Sequence, residues 1–218
     1  GSGWTGPALP PARAPARGPR DLPHPADRPR NMACEGFPAA CIAPFHYANP
    51  GTPEGGHVWT TVDVPGASGR TNVRDRAQEL ARRAARLADE QAVENLQKIY
   101  GYYLDRRMWD EVADLFADTG TIEMGQRGVY EGKARVREFL GLLGPQGIGN
   151  GELNDHVQVQ IVVSVAEDGR SAKARSRELN MIGVHESRGE WSEGVYENTF
   201  VKENGVWKIK DLRFFPTF

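Results

Sequence analysis

The spacing of apolar residues along the chain changes from a helical period to a strand period. Between residues 71 and 104 apolar positions recur every three or four residues, which is typical of one face of an amphipathic helix. A change of phase near Asp89 predicts either a kink or a second helix with Asp89 as its N-cap. The pattern is carried by Val73, Ala77, Leu80, Ala84, Leu87, Val93, Leu96, Tyr100 and Tyr103.

Shorter helices and a series of strands follow. The pattern predicts helices over residues 109–117 and 132–143, with a brief strand at 121–124 between them. Longer strands are predicted over residues 155–165, 171–184, 190–202 and 206–215, and the turns between them contain Gly169, Gly189 and Gly205. Helices followed by an antiparallel meander indicate an α+β fold.

The N-terminal third has a different composition. Twelve of the fifteen prolines lie within residues 1–56, and proline cannot donate a backbone hydrogen bond. We therefore predict a Pro-rich extended arm and linker over residues 1–70 and a globular domain over 71–218. Composition alone also fits a disordered linker. Because Phe37, Ile42 and Phe45 are too apolar for a solvated tail, we expect residues 34–50 to dock onto the domain or onto a partner subunit.

Charge and composition exclude several classes of function. A formal net charge of −2 gives no reason to expect nucleic acid as a partner. The arginines of the first helix are read as a solvated face rather than a nucleic-acid contact. No apolar run reaches the roughly 18 residues of a membrane span, so no membrane association is expected. Two cysteines in the whole chain favour the reducing cytoplasm over a disulfide scaffold.

Strand 171–184 brings a carboxylate to one face of the predicted sheet. Lys173, Arg175 and Arg177 share one face, whereas Glu178 and Asn180 lie on the opposite face with small residues. If that second face is the inner one, burial raises the pKa of Glu178 and prepares it for proton transfer. The alternative is a structural ion pair with an arginine across the sheet.

The other candidate residues leave alternatives open. Simple alternation makes His156 a surface residue, although a bulge near the start of its strand would turn it inward. Asp105 ends the first helix, where an acidic side chain commonly caps the next turn. Tyr196 and Asn198 share one face of strand 190–202, and the sequence does not decide whether that face is the inner one.

Metal and nucleotide sites have little support. The five histidines show no ligand spacing of the H-x-H or HExxH kind. No glycine-rich phosphate loop follows a strand, and the loop at 144–149 is better read as the rim of a pocket. We therefore predict neither a metal nor a cofactor.

Motifs spread over residues 88–215 resemble the SnoaL-like branch of the NTF2-like superfamily. This resemblance implies an α+β cone in which a curved antiparallel sheet is wrapped by three N-terminal helices around an apolar pocket. It is carried by Asp89-x-x-Ala92-Val93, Leu96, Tyr100 and Asp105, then Trp109-Asp110, Leu115-Phe116-Ala117, Tyr130-x-Gly132 and Gly205-Val206-Trp207-Lys208-Ile209.

The resemblance also implies site residues. In dehydratases of this family an Asp before the Trp-Asp pair works with a His at the start of the long strand, positions that match Asp105 and His156. Tyr100 matches a family tyrosine, and Glu178 matches a second proton-transfer position that carries Asp or His in related enzymes. Beside these, the candidate substrate-binding residues are Tyr103, Trp109, Phe116, Asn180, Tyr196 and Asn198, with His46 from the arm expected at the pocket mouth.

The resemblance implies a cofactor-independent lyase or isomerase that uses the His–Asp pair on a small apolar oxygenated or aromatic substrate. The carboxylate would fix the imidazole tautomer for proton abstraction. The alternative is a non-catalytic ligand-binding or oligomerisation module, in which Gln158, Gln160 and neighbouring basic residues form a polar interface. We expect a homodimer or homotrimer in either case.

The place of the arm in the chain is unusual for proteins of this kind. In SnoaL-like proteins resembling this one, a Pro-Phe-His-Tyr-x-Asn-Pro run tends to follow the last strand, but here residues 44–50 precede the domain. We expect either a rearranged order of segments or a tandem module that begins with its neighbour's tail. Both place the arm on an NTF2-like body, in cis or across an oligomer.

Overall fold

A computed structural model describes residues 26–27, 45–47, 72–125 and 127–217, and it has the predicted α+β order. A mixed six-stranded sheet has the strand order β2-β1-β6-β5-β4-β3. The elements are α1 (Val73–Asp105), α2 (Trp109–Asp114), β1 (Phe116–Met124), β2 (Val129–Glu131), α3 (Lys133–Gly141), β3 (Glu152–Val165), β4 (Ser171–Val184), β5 (Arg188–Glu203) and β6 (Val206–Pro216).

The first helix is continuous from Val73 to Asp105, so the second helix predicted to begin at Asp89 is wrong. Asn72 begins the helix by accepting the Arg74 backbone N–H on its side-chain oxygen at 3.1 Å. Asp89 instead joins α1 to the sheet, because its Oδ1 accepts from Trp207 Nε1 at 2.9 Å and from Lys202 Nζ. The change of phase therefore marks where the helix meets the domain.

The two halves of α1 have different surroundings. The apolar residues Val73, Leu80 and Leu87 are exposed, and the arginines of this half lie in solvent beside acidic partners such as Glu79 and Glu90. The later half packs on β3 and buries Val93, Gln97, Tyr100, Gly101 and Leu104. Only this later half contributes to the core.

The helix predicted over residues 109–117 is shorter than expected. It ends at Asp114, and Phe116 and Ala117 already belong to β1, where both are fully buried. Phe116 is aligned with Ile209 of β6 in a parallel pair. The sheet is therefore antiparallel except at β1 and β6, a departure from the fully antiparallel sheet that was expected.

A β-bulge in β3 decides which residues point inward. Gln160 has φ of 54°, and the pairing with β4 shifts between Val159 and Val162. Before the bulge the inner residues are even-numbered, among them Asn154 and His156; after it they are odd-numbered, as the buried Val165 shows. The prediction that His156 faces solvent is wrong, and so is the position near the strand start suggested for the bulge.

The inner face of the sheet continues across β4 and β5. Ser176 and Glu178 are buried on β4, and Tyr196, Asn198 and Phe200 are buried on β5. The inner face of β5, which the sequence left open, is therefore its even-numbered face. The inner face therefore carries buried polar residues on β3, β4 and β5 together with apolar core residues such as Phe200.

A short piece of the predicted arm lies on the outer face of the sheet. The His46 imidazole Nδ1 is 3.0 Å from Glu197 Oε2, and the Phe45 ring packs 4.0 Å from the Arg175 guanidinium. The rest of segment 34–50 lies outside the described residues.

Within the described ranges, none of the helices is both long enough and apolar enough to cross a membrane.

Candidate active site

The end of α1 and the start of β3 bring Asp105 and His156 together. Asn154 ties the two elements by donating its side-chain N–H to the Leu104 carbonyl at 2.9 Å. Asp105 Oδ1 then accepts the backbone N–H of His156 at 2.6 Å, and the His156 Nδ1 lies 3.5 Å from the same oxygen. Asp105 is therefore engaged by β3 rather than by the turn that follows α1. The imidazole is only 8% exposed.

A glycine allows the close contact between α1 and β3. A Cβ added to Gly101 would lie 2.8 Å from both Gln158 Cγ and the His156 carbonyl oxygen, distances that side chains do not tolerate. The adjacent Tyr100 is fully buried, and its ring meets Tyr196 edge to face at 5.7 Å. Burial, together with the nearby Glu178 carboxylate, raises the pKa of the Tyr100 phenol far above its ordinary value. Tyr100 is therefore a neutral donor.

Glu178 lies at the centre of the inner face and is 1% exposed. Its Oε2 accepts from the Tyr196 hydroxyl at 2.8 Å and from Gln158 Nε2 at 2.9 Å. Burial raises the pKa of this carboxyl, and His156, Tyr196 and Gln158 offset that rise only in part. The expected alternative, an ion pair with an arginine across the sheet, does not describe Glu178: Arg175 and Arg177 pair with glutamates on the outer face.

Amide side chains that are buried at Gln97 and Asn198 and half-buried at Gln158 extend the site beyond Glu178. Gln97, Gln158 and Asn198 form a hydrogen-bonded series that ends at Glu178, and the Ser176 hydroxyl donates to Gln158 Oε1 at 3.1 Å. Sequence reasoning assigned Gln158 to the outer face and did not single out Gln97. Gln97 could have been found, because it is a polar residue within the apolar stripe of α1 between Val93 and Tyr100.

Several predicted substrate-binding residues lie on this inner face. Asn180 is the cross-strand partner of His156, and its side-chain oxygen has no hydrogen-bond partner among the described residues. Tyr196 donates to Glu178, and Asn198 belongs to the amide series. Tyr103 is partly buried against the core. The structure thus places Asn180 and Tyr196 beside the predicted acid–base residues, whereas two hydrogen-bonded glutamines separate Asn198 from Glu178.

The remaining predicted binding residues lie outside this group. Trp109 is almost fully buried and donates its indole N–H to the Gly144 carbonyl at 2.9 Å, and Phe116 is a core residue at the start of β1. Both positions are explained by packing. His46 is separated from the inner face by the sheet itself, because its partner Glu197 points to the outer side. Its expected position at the pocket mouth is therefore wrong.

Elsewhere, a surface depression of about 400 Å³ lies between α2 and α3. Its charged groups already pair with one another, Lys133 with Asp114 and Arg137 with Asp110. Within the ranges that the structure covers, no three His, Cys, Asp or Glu side chains come together in an arrangement that could hold a metal ion. The inner-face group remains the candidate site.

Comparisons with known proteins agree with this architecture. Residues 85–213 match the family model of the SnoaL-like domain. No curated protein matches the chain significantly.

Solved structures show the same fold. One is a protein from Novosphingobium aromaticivorans provisionally assigned as a scytalone dehydratase, at 24% identity and a TM-score of 0.53 over 62% of this chain and 88% of that one. Another is hexachlorocyclohexane dehydrochlorinase LinA type 2, at 17% identity and a TM-score of 0.52 over 62% and 89%. A third is ActVI-ORFA from Streptomyces coelicolor, at 18% identity and a TM-score of 0.50 over 58% and 95%.

Proposed function

The chain belongs to the SnoaL-like family, and we propose that it is a cofactor-independent lyase or isomerase. Its substrate would be a small, largely apolar oxygenated or aromatic molecule bound against the inner face of the sheet. The observation that carries this proposal is the buried imidazole of His156, which lies 3.5 Å from the Asp105 carboxylate on the same face as Glu178. Two structural neighbours are named as a dehydratase and a dehydrochlorinase, and both names fit an elimination reaction.

His156 acts as the base in this proposal. Asp105 Oδ1 accepts the backbone N–H of His156, which places the carboxylate beside the ring. The imidazole Nδ1 lies 3.5 Å from the same oxygen and has no hydrogen-bond partner of normal geometry among the described residues. The imidazole then removes a proton from a carbon next to a carbonyl group. General base catalysis of this kind contributes about 100- to 10,000-fold to a rate.

Glu178 acts as the acid. Because burial raises its pKa, the carboxyl holds a proton at a higher pH than an exposed glutamate does. In an elimination, the electron pair of the broken C–H bond forms a carbon–carbon double bond while the bond to the leaving oxygen breaks. Glu178 gives its proton to that oxygen and releases water, so no oxidant or reductant is consumed.

Tyr100 stabilises the charge that develops on the carbonyl oxygen. Its hydroxyl is buried and has no hydrogen-bond partner of normal geometry among the described residues. A neutral phenol in a site that excludes water is an effective donor to an oxyanion. Asn180, beside His156 across the strands, would contact a polar substituent of the substrate.

A turnover assay with phenolic, β-hydroxycarbonyl and enone compounds tests the proposal. We expect His156→Ala to lose about 100- to 10,000-fold in kcat. His185→Ala is the matched control, because His185 is exposed in the turn after β4 and should keep full activity. Full turnover by His156→Ala would contradict the role of His156, and tight binding without turnover in the unaltered chain would assign a binding module.

A further inference from the structure

A backbone hydrogen bond to Asn198 fixes the orientation of the side-chain amides of Asn198, Gln97 and Gln158. The backbone N–H of Arg213 donates to Asn198 Oδ1 at 3.1 Å, and a backbone N–H can only donate. The Asn198 amide nitrogen must therefore point the other way, toward Gln97 Oε1 at 2.8 Å. Amide orientations are ordinarily ambiguous, but a donor of known identity at one end removes the ambiguity.

The same reasoning fixes the orientation of the two glutamine side-chain amides. Since Gln97 Oε1 accepts from Asn198, its Nε2 donates to Gln158 Oε1 at 2.9 Å. Ser176 supplies a second donor to that oxygen at 3.1 Å. Gln158 Nε2 is then left to donate to Glu178 Oε2 at 2.9 Å. Turning the Gln158 amide over would place two N–H groups face to face in a buried site, which is costly.

We infer that Gln158 is a positioning residue that holds Glu178 Oε2 as an acceptor and so places the acid proton of Glu178 on Oε1. This inference rests on the proposed function for its catalytic meaning. Oε2 already accepts from Gln158 and from the Tyr196 hydroxyl, so both of its favourable directions are filled. The oxygen free to carry a transferable proton is Oε1.

The groups around Glu178 support this assignment. His156 on β3, Asp105 and Tyr100 on α1 and Tyr196 on β5 are the titratable groups that act on it. The Gln158 amide stabilises the ionised form, which is the form left after proton donation. The amide series is therefore already oriented to stabilise the Glu178 carboxylate that forms on proton donation. It does so with neutral dipoles instead of a cation.

Titration of Glu178 in the full chain without substrate tests the inference. The probe is the side-chain carboxyl ¹³C resonance of labelled glutamate, identified by its absence in Glu178→Gln. Gln158→Met removes the donor at similar volume, and we expect the midpoint of the Glu178 titration to rise by about one pH unit. Ser176→Ala is the matched control, because it removes a donor to Gln158 without changing the donor to Glu178. The midpoint of the Glu178 titration should stay unchanged in this variant.

An unchanged midpoint in a folded Gln158→Met protein would overturn the inference, as would an equal shift in Ser176→Ala. If Gln158→Met does not fold, Gln158→Leu removes the same donor without placing a second carboxylate beside Glu178, and the same upward shift is expected. An unchanged Glu178 midpoint in that variant would also overturn it. The titration needs no turnover, so it can succeed where the proposed activity fails, and the His156→Ala assay can succeed where the titration fails.

Discussion

Two glutamates on neighbouring strands of the same sheet illustrate how surroundings decide the role of a carboxyl group. Glu178 on the inner face of β4 has neutral hydrogen-bond donors, the Tyr196 hydroxyl and the Gln158 amide. Glu197 on the outer face of β5 contacts Arg175 and the His46 imidazole. Burial raises the pKa of Glu178, and its neutral donors offset that rise only in part, so this carboxyl is able to hold a proton. The inner face therefore suits proton transfer, whereas the outer face suits attachment of the arm residues 45–47.

Replacing Glu178 by Gln should have the largest effect on activity. The amide fits the same space and accepts from Tyr196 and Gln158, but it has no acid proton to give. We expect kcat to fall about 100- to 10,000-fold in the turnover assay. Thermal unfolding followed by circular dichroism would confirm that the variant is folded. Undiminished turnover would show that another group supplies the proton.

The same variant tests the pH dependence of stability. Because the pKa of Glu178 is raised in the folded protein above its ordinary value of 4.5, the folded state binds the proton more tightly than the unfolded chain. The contribution of Glu178 to the free energy of unfolding is therefore full below pH 4.5 and is lost as pH rises through the folded-state pKa. Glu178→Gln should lack this loss, so urea unfolding above pH 4.5 should increasingly favour the variant. Parallel pH curves would contradict the raised pKa.

Glu197→Gln should mainly affect stability. The change leaves the Arg175 guanidinium and the His46 imidazole without their shared carboxylate on a largely buried part of the outer face. We expect the free energy of unfolding to fall by about 1–3 kcal/mol in urea titrations, with kcat unchanged. A loss of activity equal to that of Glu178→Gln would mean that the two faces are not functionally distinct.

Arg177→Gln should have the smallest effect. Arg177 lies on the outer face, pairs with Glu193, donates to Gln160 Oε1 at 3.0 Å and is 42% exposed. Pairs this close to solvent contribute little, so we expect a loss of about 0.2–1 kcal/mol in the free energy of unfolding. Urea unfolding at low and high salt would check this, since a larger or salt-independent loss would indicate a buried role.

The sequence predicted the regular parts of the fold well. The bounds of β4 agree with the predicted 171–184, because small residues alternate with charged ones over residues 172–177 and turns flank the strand. The α+β order and the later half of α1 are also confirmed. The second helix expected to begin at Asp89 does not form, because the change of phase reflects a change in the surroundings of the helix and not an interruption of its backbone.

The site was harder to predict than the fold. Residues Asp105, Tyr100, His156 and Glu178 lie on the same side of the sheet, although the sequence pattern left the roles of the first three open and the family resemblance assigned them. The inward direction of His156 depends on a bulge that alternation alone cannot locate, because Gln160 is not a residue type that favours positive φ. Gln158 was assigned to the wrong face for the same reason. Contacts between distant residues, such as Gln97 with Asn198, require the folded geometry.

The irregularity at Gln160 also separates two tasks within one strand. Before the bulge, β3 directs Asn154, His156 and Gln158 to the interior. After the bulge, β3 directs Val163 and Val165 there. A strand of unbroken alternation would have to turn either its reactive side chains or its hydrocarbon toward solvent. One inserted residue therefore lets polar side chains face the interior at one end of the strand while apolar side chains face it at the other end.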